Sequence, residues 1–460
     1  MRLALALYSL PLTFPLAAFA QRPVFPSDSA ILSILKQRVA EHRSAGIVIG
    51  LLDADGHSRI IAYGDAGPGQ PPLDGNSVFE IGSISKVFTA TVLAEMVQEG
   101  KVSLNDPVQR YLPADVKIPT HNGKVITLGS LSEQNSGLPR MPTNFHPANP
   151  ANPYADYTVR QMYDFLSSYT LPRDPGALFE YSNLGVGLLG NALSLAAGTS
   201  YEDMARARIW QPLGMTHTAI TFTPWMREHL ALGHDEGGAV TSNWDIPALA
   251  GAGAIRSTTI DMLKFLDANL HPERGPLERA MAFAHAERAP AGAMMIGLNW
   301  IIIHAGADTI VWHNGGTGGY RTYIGFVPSR KVGVVVMTNS AGEGADDIGV
   351  HLLNPSLPLV PKPAPPKQHT AIDVPRSVLA RYTGTYQLAP TFMLDVTLDG
   401  GALWVQATAQ PKFKLWAESQ KDFFLKEVDA QITFVTDGSG NVSALVLHQN
   451  GLDQRAAKIR

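Results

Sequence analysis

The 460-residue chain contains no cysteine. That absence excludes disulfide frameworks, thiol nucleophiles, thiolate zinc sites and iron–sulfur clusters together. Charge is sparse, at 17% of residues, and nearly balanced, with a formal net charge of −4. Such a chain has no basic field for nucleic acid to meet, and no nucleic-acid partner is expected. Beyond the first twenty residues, no apolar run approaches the ~20 residues needed to span a bilayer. The fourteen histidines include no H-x-H or H-x-x-x-H pair, and His229 and His234 are five apart, poorly placed for one helix face. Gly315 to Gly319 is glycine-rich but lacks the G-K-[ST] ending of a phosphate loop. No cofactor and no metal are expected.

What the chain does have is apolar mass. Hydrophobic residues make up 45% of it, enough for a sizeable core. The first twenty residues read as a leader: Arg2, an apolar run from Leu3 to Ala17, and Ala18-Phe19-Ala20 before Gln21 as a cleavage site. An exported protein, secreted or periplasmic and cut after Ala20, is the expectation. From Pro355 to Pro366 there are six prolines in twelve residues, which neither a helix nor a central strand accepts. The expected organisation is therefore a leader over 1–20, a large domain over 21–354, a proline-rich linker over 355–376 and a small β domain over 377–460.

Within the large domain, Ile47 to Leu52 and Val78 to Ile81 read as strands, and Ile84 to Glu99 as an apolar helix closed by Gly100. Leu184 to Ala197 reads as a second apolar helix ended by Gly198. Tyr320 to Val327 and Val332 to Thr338 read as a hairpin through Pro328-Ser329-Arg330-Lys331. Arg140 to Tyr157 carries four prolines and reads as a long surface loop, either a lid over a site or a plain surface excursion. After the linker come short strand runs at Phe392 to Leu398, Leu403 to Ala407 and Ile432 to Val435, with Gly-rich turns between them. These predict a small antiparallel barrel or sandwich, in which Trp404, Trp416 and Phe423-Phe424 are expected as core.

Three local patterns carry chemistry. In Gly82-Ser83-Ile84-Ser85-Lys86, a helix starting at Ser83 puts Ser83 and Lys86 one turn apart on one face. A serine needs a base to become a nucleophile, and a lysine whose pKa is lowered by burial can be that base. The alternative is a serine N-cap followed by a solvated lysine. In Tyr181-Ser182-Asn183, a buried tyrosine hydroxyl can exchange protons with Lys86, and Asn183 can bond both Lys86 and a substrate carbonyl; the alternative is a helix cap. In His313-Asn314-Gly315-Gly316, the glycines let a substrate backbone approach a strand, with a backbone N–H directed into the site; for His313 alone, the alternative is an ordinary half-buried histidine.

In this order and spacing, the patterns resemble the serine β-lactamase and penicillin-binding-protein superfamily, with S-x-x-K as the first motif. The middle Y-S-N resembles the class C β-lactamase, D-aminopeptidase and family VIII esterase branch. The likeness spans Ile47 to Asn339 and includes Asn135-Ser136-Gly137-Leu138-Pro139, while Tyr382-Thr-Gly-Thr-Tyr386 resembles the start of a lipocalin-like β-domain appended to many members. The resemblance implies an α/β (α+β) fold: a β-lactamase/transpeptidase-like domain with an antiparallel sheet flanked by helices, an all-helical subdomain, and a small C-terminal antiparallel β-barrel. It implies Ser83 as acylated nucleophile, Lys86 as its partner base and Tyr181 as proton relay. Asn183, His313, Gly315 and Gly316 would bind substrate, with backbone N–H groups of Ser83 and Gly316 as the oxyanion hole.

One departure bears on substrate. Where the family usually has the lysine of K-T-G, this chain has His313, and the region after the hairpin, Ala341 to Asp347, is acidic. With the fixed cation missing, the reading leans to D-amino-acid amides or peptides and carboxylic esters. A class C-like β-lactamase or D-Ala-D-Ala carboxypeptidase is the alternative, and a non-catalytic β-lactam or peptide sensor the third reading. Cell-wall peptide is among the partners this allows. Arg321 could replace the missing cation. If His313 must be neutral for activity, the rate is expected to rise through pH 6 to 7.

Overall fold

The computed structural model describes residues 25–460 except 343, 363–368, 390–391, 409, 411 and 450–451. The leader expected over 1–20 lies outside them. The chain forms two compact units, one ending at Val360 and the other starting at Pro361. Among the described residues no helix is long and apolar enough to cross a membrane.

The strands of the large unit are, in chain order, β1 (Gly46–Leu52), β2 (Ser58–Gly64), β3 (Val78–Glu80), β4 (Arg256–Thr258), β5 (Ala289–Ala291), β6 (Met294–Ile296), β7 (Ile301–Ala305), β8 (Asp308–Gly316), β9 (Arg321–Val327) and β10 (Val332–Thr338). Eight of them make one antiparallel sheet in the order β2-β1-β10-β9-β8-β7-β6-β5, and β3 pairs with β4 apart from it. β1 and β10 are neighbours inside the sheet and buried along their whole length, which is why both read as unbroken apolar runs. Alternation then assigns the faces. Ile47, Ile49 and Leu51 pack with Ile31 and Leu35 of the helix Asp28–Ala40 and with Ile348 and Leu352 of the helix Asp346–Leu353. Val48 and Leu52 face the opposite core, shared with Phe265 and Leu266 of the helix Thr259–Asn269. Gly50 lets that helix come close, since a Cβ there would stand 2.7 Å from Thr259 Cγ2.

Helices fill the region between β3 and β4. Ser85–Gln98 is buried on nearly every side, so it is the central helix of this region and not a surface one. Asn183–Ala197 packs beside it, capped at its start by the Ser182 side chain and at its end by Gly198 at φ 69. The predicted hairpin is present as β9 and β10, joined by a turn over Pro328–Arg330 with Lys331 in the left-handed region. The stretch Arg140 to Tyr157 contains no helix or strand. Leu357 and Leu359, from the proline-rich stretch, pack against the core of the large unit.

In the second unit, β11 (Gly384–Ala389), β12 (Phe392–Asp399), β13 (Ala402–Ala407), β14 (Lys412–Ala417), β15 (Asp422–Phe424), β16 (Ala430–Thr436), β17 (Val442–Gln449) and β18 (Leu452–Lys458) close into an antiparallel barrel, β11 pairing with β18. Phe423 and Phe424 are buried as expected, but Trp404 and Trp416 are not core. Leu403, Val405, Leu415 and Ala417 take the inward positions of β13 and β14, so the tryptophans between them face out. There they lie under Lys412 and under Lys414 and Lys426, respectively.

Candidate active site

The helix expected from Ile84 starts at Ser85 and is entered through a single 3-10 turn, Gly82–Ile84, which holds Ser83 half-buried. Lys86 follows three residues on with its side chain fully buried. Its Nζ lies 2.9 Å from Ser83 Oγ, 2.9 Å from Asn183 Oδ1 and 2.7 Å from the carbonyl oxygen of Ala252. The last two partners can only accept. In its neutral form the amine gives these two partners its N–H bonds and turns its lone pair to the serine hydroxyl. Burial, aided by the Arg140 charge, holds Lys86 well below the ordinary lysine range. The alternative of a solvated lysine does not survive this geometry.

Tyr181 completes the cluster. Lys86 Nζ lies 4.8 Å and the Arg140 guanidinium carbon 5.1 Å from the centre of its ring. Burial pushes its phenol up to about 12 against the opposing pull of the neighbouring Ser83 hydroxyl and of Arg140. The environment thus drives the two groups in opposite directions, so tyrosine keeps its proton where lysine can lose one.

Side-chain hydrogen bonds fix these segments relative to one another. Ser182 caps its helix, accepting from Gly185 N and donating to Pro139 O at 2.7 Å. The capping alternative and the Asn183–Lys86 bond therefore hold together. The side chain of Gln134 accepts from Ser182 N at 2.7 Å and donates to Asn299 Oδ1 at 2.9 Å, while Asn299 Nδ2 reaches Lys86 O at 3.3 Å. Gln134 and Asn299 both sit at φ 58, a conformation that costs a non-glycine residue roughly 1–2 kcal/mol. Their hydrogen bonds bridge the helix carrying Lys86 and the Tyr181 segment, which is what holds the strained backbone in place.

The end of β8 lies against the serine turn. A Cβ on Gly315 would collide with the carbonyl oxygen of Ile81, and one on Gly82 would stand 2.6 Å from Gly316 N. The absent side chain at Gly315 thus serves backbone packing under the Ser83 turn, whereas Gly316 is exposed to the cleft. His313 is buried, and its Nδ1 lies 2.6 Å from the carbonyl of Asn314, which assigns the proton to Nδ1. Burial, then the nearby Lys86, lowers its pKa to about 3. His313 is therefore neutral throughout the working range, and the expected rise through pH 6 to 7 cannot be its titration. Of the acids after β10, Asp346 accepts from Asn314 and Asp347 pairs with Arg38, while Glu343 lies outside the described residues.

Ser83, Tyr181, Asn183, Gly315 and Gly316 line a cleft of about 530 Å³ together with Arg140, Tyr154, Trp244 and Arg321. Arg140 and Tyr154 belong to the long proline-bearing loop noted in the sequence, but neither they nor Trp244 stand out there as individual site residues. Arg140 is exposed, and its carbonyl accepts from Asn183 N at 3.0 Å. Among the described residues its guanidinium has no ion pair. Arg321 donates to the carbonyls of Thr317 and Tyr320. Tyr154, from the long loop, packs at 5.3 Å from Trp244, and Asn152 and Asp245 exchange two hydrogen bonds beside them. Trp244 N donates to Glu80, its carbonyl accepts from Arg256, and Glu80 and Arg256 form a buried pair. Among the described residues no cluster of His, Asp and Glu is placed to hold a metal ion.

Residues 31–353 match the family model described as Beta-lactamase. The chain belongs to the beta-lactamase family. That membership makes it a β-lactamase-related serine hydrolase, and residues 368–458 match a domain of unknown function. Over 342 residues the chain is 32% identical to the D-alanyl-D-alanine-carboxypeptidase/endopeptidase AmpH of Escherichia coli K12, covering 69% of this chain and 85% of that one. A β-lactamase/D-alanine carboxypeptidase from Yersinia pestis is 27% identical, with a TM-score of 0.60 over 68% of this chain and 92% of the other. An octameric penicillin-binding protein homologue from Pyrococcus abyssi, 22% identical, matches the fold across 94% of this chain and 100% of its own, with a TM-score of 0.63. Family members thus share the fold of the catalytic unit, and the last of these aligns over nearly the whole chain.

Proposed function

We propose that the protein hydrolyses D-alanyl peptides bearing a free carboxylate through an acyl-enzyme on Ser83. The observation that carries the reading is the Lys86 amine, whose two carbonyl-type acceptors leave its third position facing Ser83 Oγ at 2.9 Å. Lys86, neutral, takes the serine proton as Oγ attacks the substrate carbonyl. The carbonyl oxygen becomes an oxyanion between Ser83 N and Gly316 N. Tyr181 gives its proton to the leaving amine and is reprotonated from Lys86. Water then attacks the ester, its proton passes to the same pair, and Ser83 leaves with a proton restored.

Two features support a carboxylate-bearing substrate. Arg140 and Arg321 both line the cleft, so the lost K-T-G lysine does not leave it without a cation. The E. coli relative at 32% identity is a D-alanyl-D-alanine carboxypeptidase/endopeptidase by name. The neutral His313 favours a second reading, D-amino-acid amides or esters, because the place of the fixed cation holds no charge. The test is turnover of a D-Ala-D-Ala peptide, D-alanine p-nitroanilide, p-nitrophenyl butyrate and nitrocefin, with Ser83→Ala as blank. Preference for the D-Ala-D-Ala peptide, with KM raised at least tenfold by Arg140→Ala, is the expected result. Dominant ester or amide turnover indifferent to Arg140 would favour the second reading. Covalent penicillin labelling that persists in Ser83→Ala would remove Ser83 from its role. Export is proposed from the leader, and N-terminal sequencing starting at Gln21 would support it.

A further inference from the structure

A small recess opens beside Ser83, off the main cleft. It holds about 30 Å³, between Ser83 and Gly316 on one side and Tyr154, Trp244, Ile246 and Leu249 on the other. Tyr181 and Arg140 line the main cleft but not this recess. In the acyl-enzyme pathway proposed for Ser83, Tyr181 hands its proton to the leaving amine. The leaving group therefore lies on the Tyr181 side, and the recess faces the side chain of the acyl residue. Its volume is about the ~30 Å³ share of one water in the liquid, which is room for a methyl group and for nothing branched or aromatic.

The two aromatic walls of the recess are held differently. Trp244 is anchored: its N donates to Glu80 Oε1 at 2.8 Å and its carbonyl accepts from Arg256 at 2.7 Å, both partners being buried. Its indole also backs onto Gly318, where a Cβ would stand 2.6 Å from Nε1. Tyr154 instead belongs to the loop over 140–157, whose rings pack on one another, Phe145 lying 5.0 Å from Tyr154 and 5.5 Å from Tyr157. Among the described residues, two hydrogen bonds join this loop to the Trp244 segment, and Asn152 makes both. Its Nδ2 donates to Asp245 Oδ2 at 3.0 Å, and its Oδ1 accepts from Asp245 N at 2.8 Å. The Asp245 side chain is 64% exposed, so water replaces these bonds at little net loss. We infer that Asn152 is a latch that sets the acyl-side specificity. Closed, it holds Tyr154 against Trp244 and the recess accepts a methyl side chain; larger acyl residues enter only when the latch opens and Tyr154 moves off Trp244. The inference rests on the acyl-enzyme reading and adds to it the residue on the amino side of the scissile bond.

The test measures D-alanine released from acetyl-D-alanyl-D-alanine and from acetyl-D-phenylalanyl-D-alanine, which differ only in the acyl side chain. One methylene in a closed pocket is worth roughly 10- to 200-fold, so the wild type should prefer the first by at least about 100-fold in kcat/KM. Asn152 lines neither the cleft nor the recess. Asn152→Ala should therefore leave the first substrate within about twofold of wild type and raise turnover of the second at least tenfold. Tyr154→Ala, which removes the moving wall, should raise the second by at least as much. No preference in the wild type would overturn the size limit. A preference unchanged in Asn152→Ala, or a gain on both substrates alike, would overturn the latch. A wild type inactive on both peptides would defeat only the D-alanyl-peptide reading. The same comparison would then be made on the p-nitroanilides of D-alanine and D-phenylalanine, whose acyl groups meet the same recess, and silence there too would overturn the latch with the acyl-enzyme.

Discussion

Gly82→Ala tests whether the serine turn and the end of β8 form one preorganised unit. A Cβ at residue 82 would stand 2.6 Å from Gly316 N, whereas real contacts of this kind are not found below 3.0 Å and are ordinary from 3.4 Å. The turn and the strand must therefore separate by about 0.4 to 0.8 Å. Misplacement by ~1 Å costs ~10²-fold in rate, so the acylation rate should fall roughly 10- to 100-fold, or about 1.4–2.7 kcal/mol in the barrier. Gly82 also lies at φ 50, so alanine there adds a backbone cost of roughly 1–2 kcal/mol to folding. Gly198→Ala separates the two effects. It has the same backbone demand at φ 69, with nothing within 4 Å of the added methyl. Stopped-flow acylation by a fluorescent penicillin, together with thermal melts, should show both variants destabilised but only Gly82→Ala slowed. Wild-type acylation in a folded Gly82→Ala would refute the argument that this contact sets the oxyanion geometry.

Other outcomes follow from the buried charges. Unfolded Lys86 keeps its proton to about pH 10.4, while the folded side chain releases it lower, so between those values the unfolded chain binds more protons and stability rises with pH. Lys86→Met should therefore melt higher than wild type at pH 7, by about 2 °C or more, and the gap should close as pH approaches 10.5. The acid limb of acylation should belong to Lys86: His313→Asn, removing a group already neutral above about pH 4, should leave that limb in place, and a shifted limb would reassign it. Arg256→Met should cost about 3–5 kcal/mol in denaturant unfolding because it strands Glu80, and Glu80→Gln in the same chain should recover part of the loss.

The parts of the molecule legible in the sequence are those in which a side chain, a period or a turn residue does the work. β1 and β10 are visible because burial on both faces demands unbroken apolar runs. The Ser83–Lys86 spacing is visible because one helical turn brings the two together. The acceptor that completes the lysine, Ala252 O, is a backbone carbonyl and leaves no trace in residue identity. Arg140, Tyr154 and Trp244 lie on segments without periodicity, placed by loop-to-loop contacts that only the fold supplies. Gln134 and Asn299 are ordinary polar residues until their left-handed backbone is seen. The outward tryptophans were within reach: two-residue alternation with Leu403, Val405 and Leu415 contradicts placing Trp404 and Trp416 inside.

The three partners of Lys86 lie at positions 83, 183 and 252, so the pieces that tune its amine are scattered over most of the large unit. A partly folded chain can form the serine turn and still hold an ordinary, protonated lysine beside it. If penicillin acylates Ser83 as proposed, that reactivity should appear only when those distant segments have docked. Covalent labelling is in effect a clock for chain assembly: a chain arrested before residue 252 should stay dark, and refolding followed by labelling should report the last docking event and not the first.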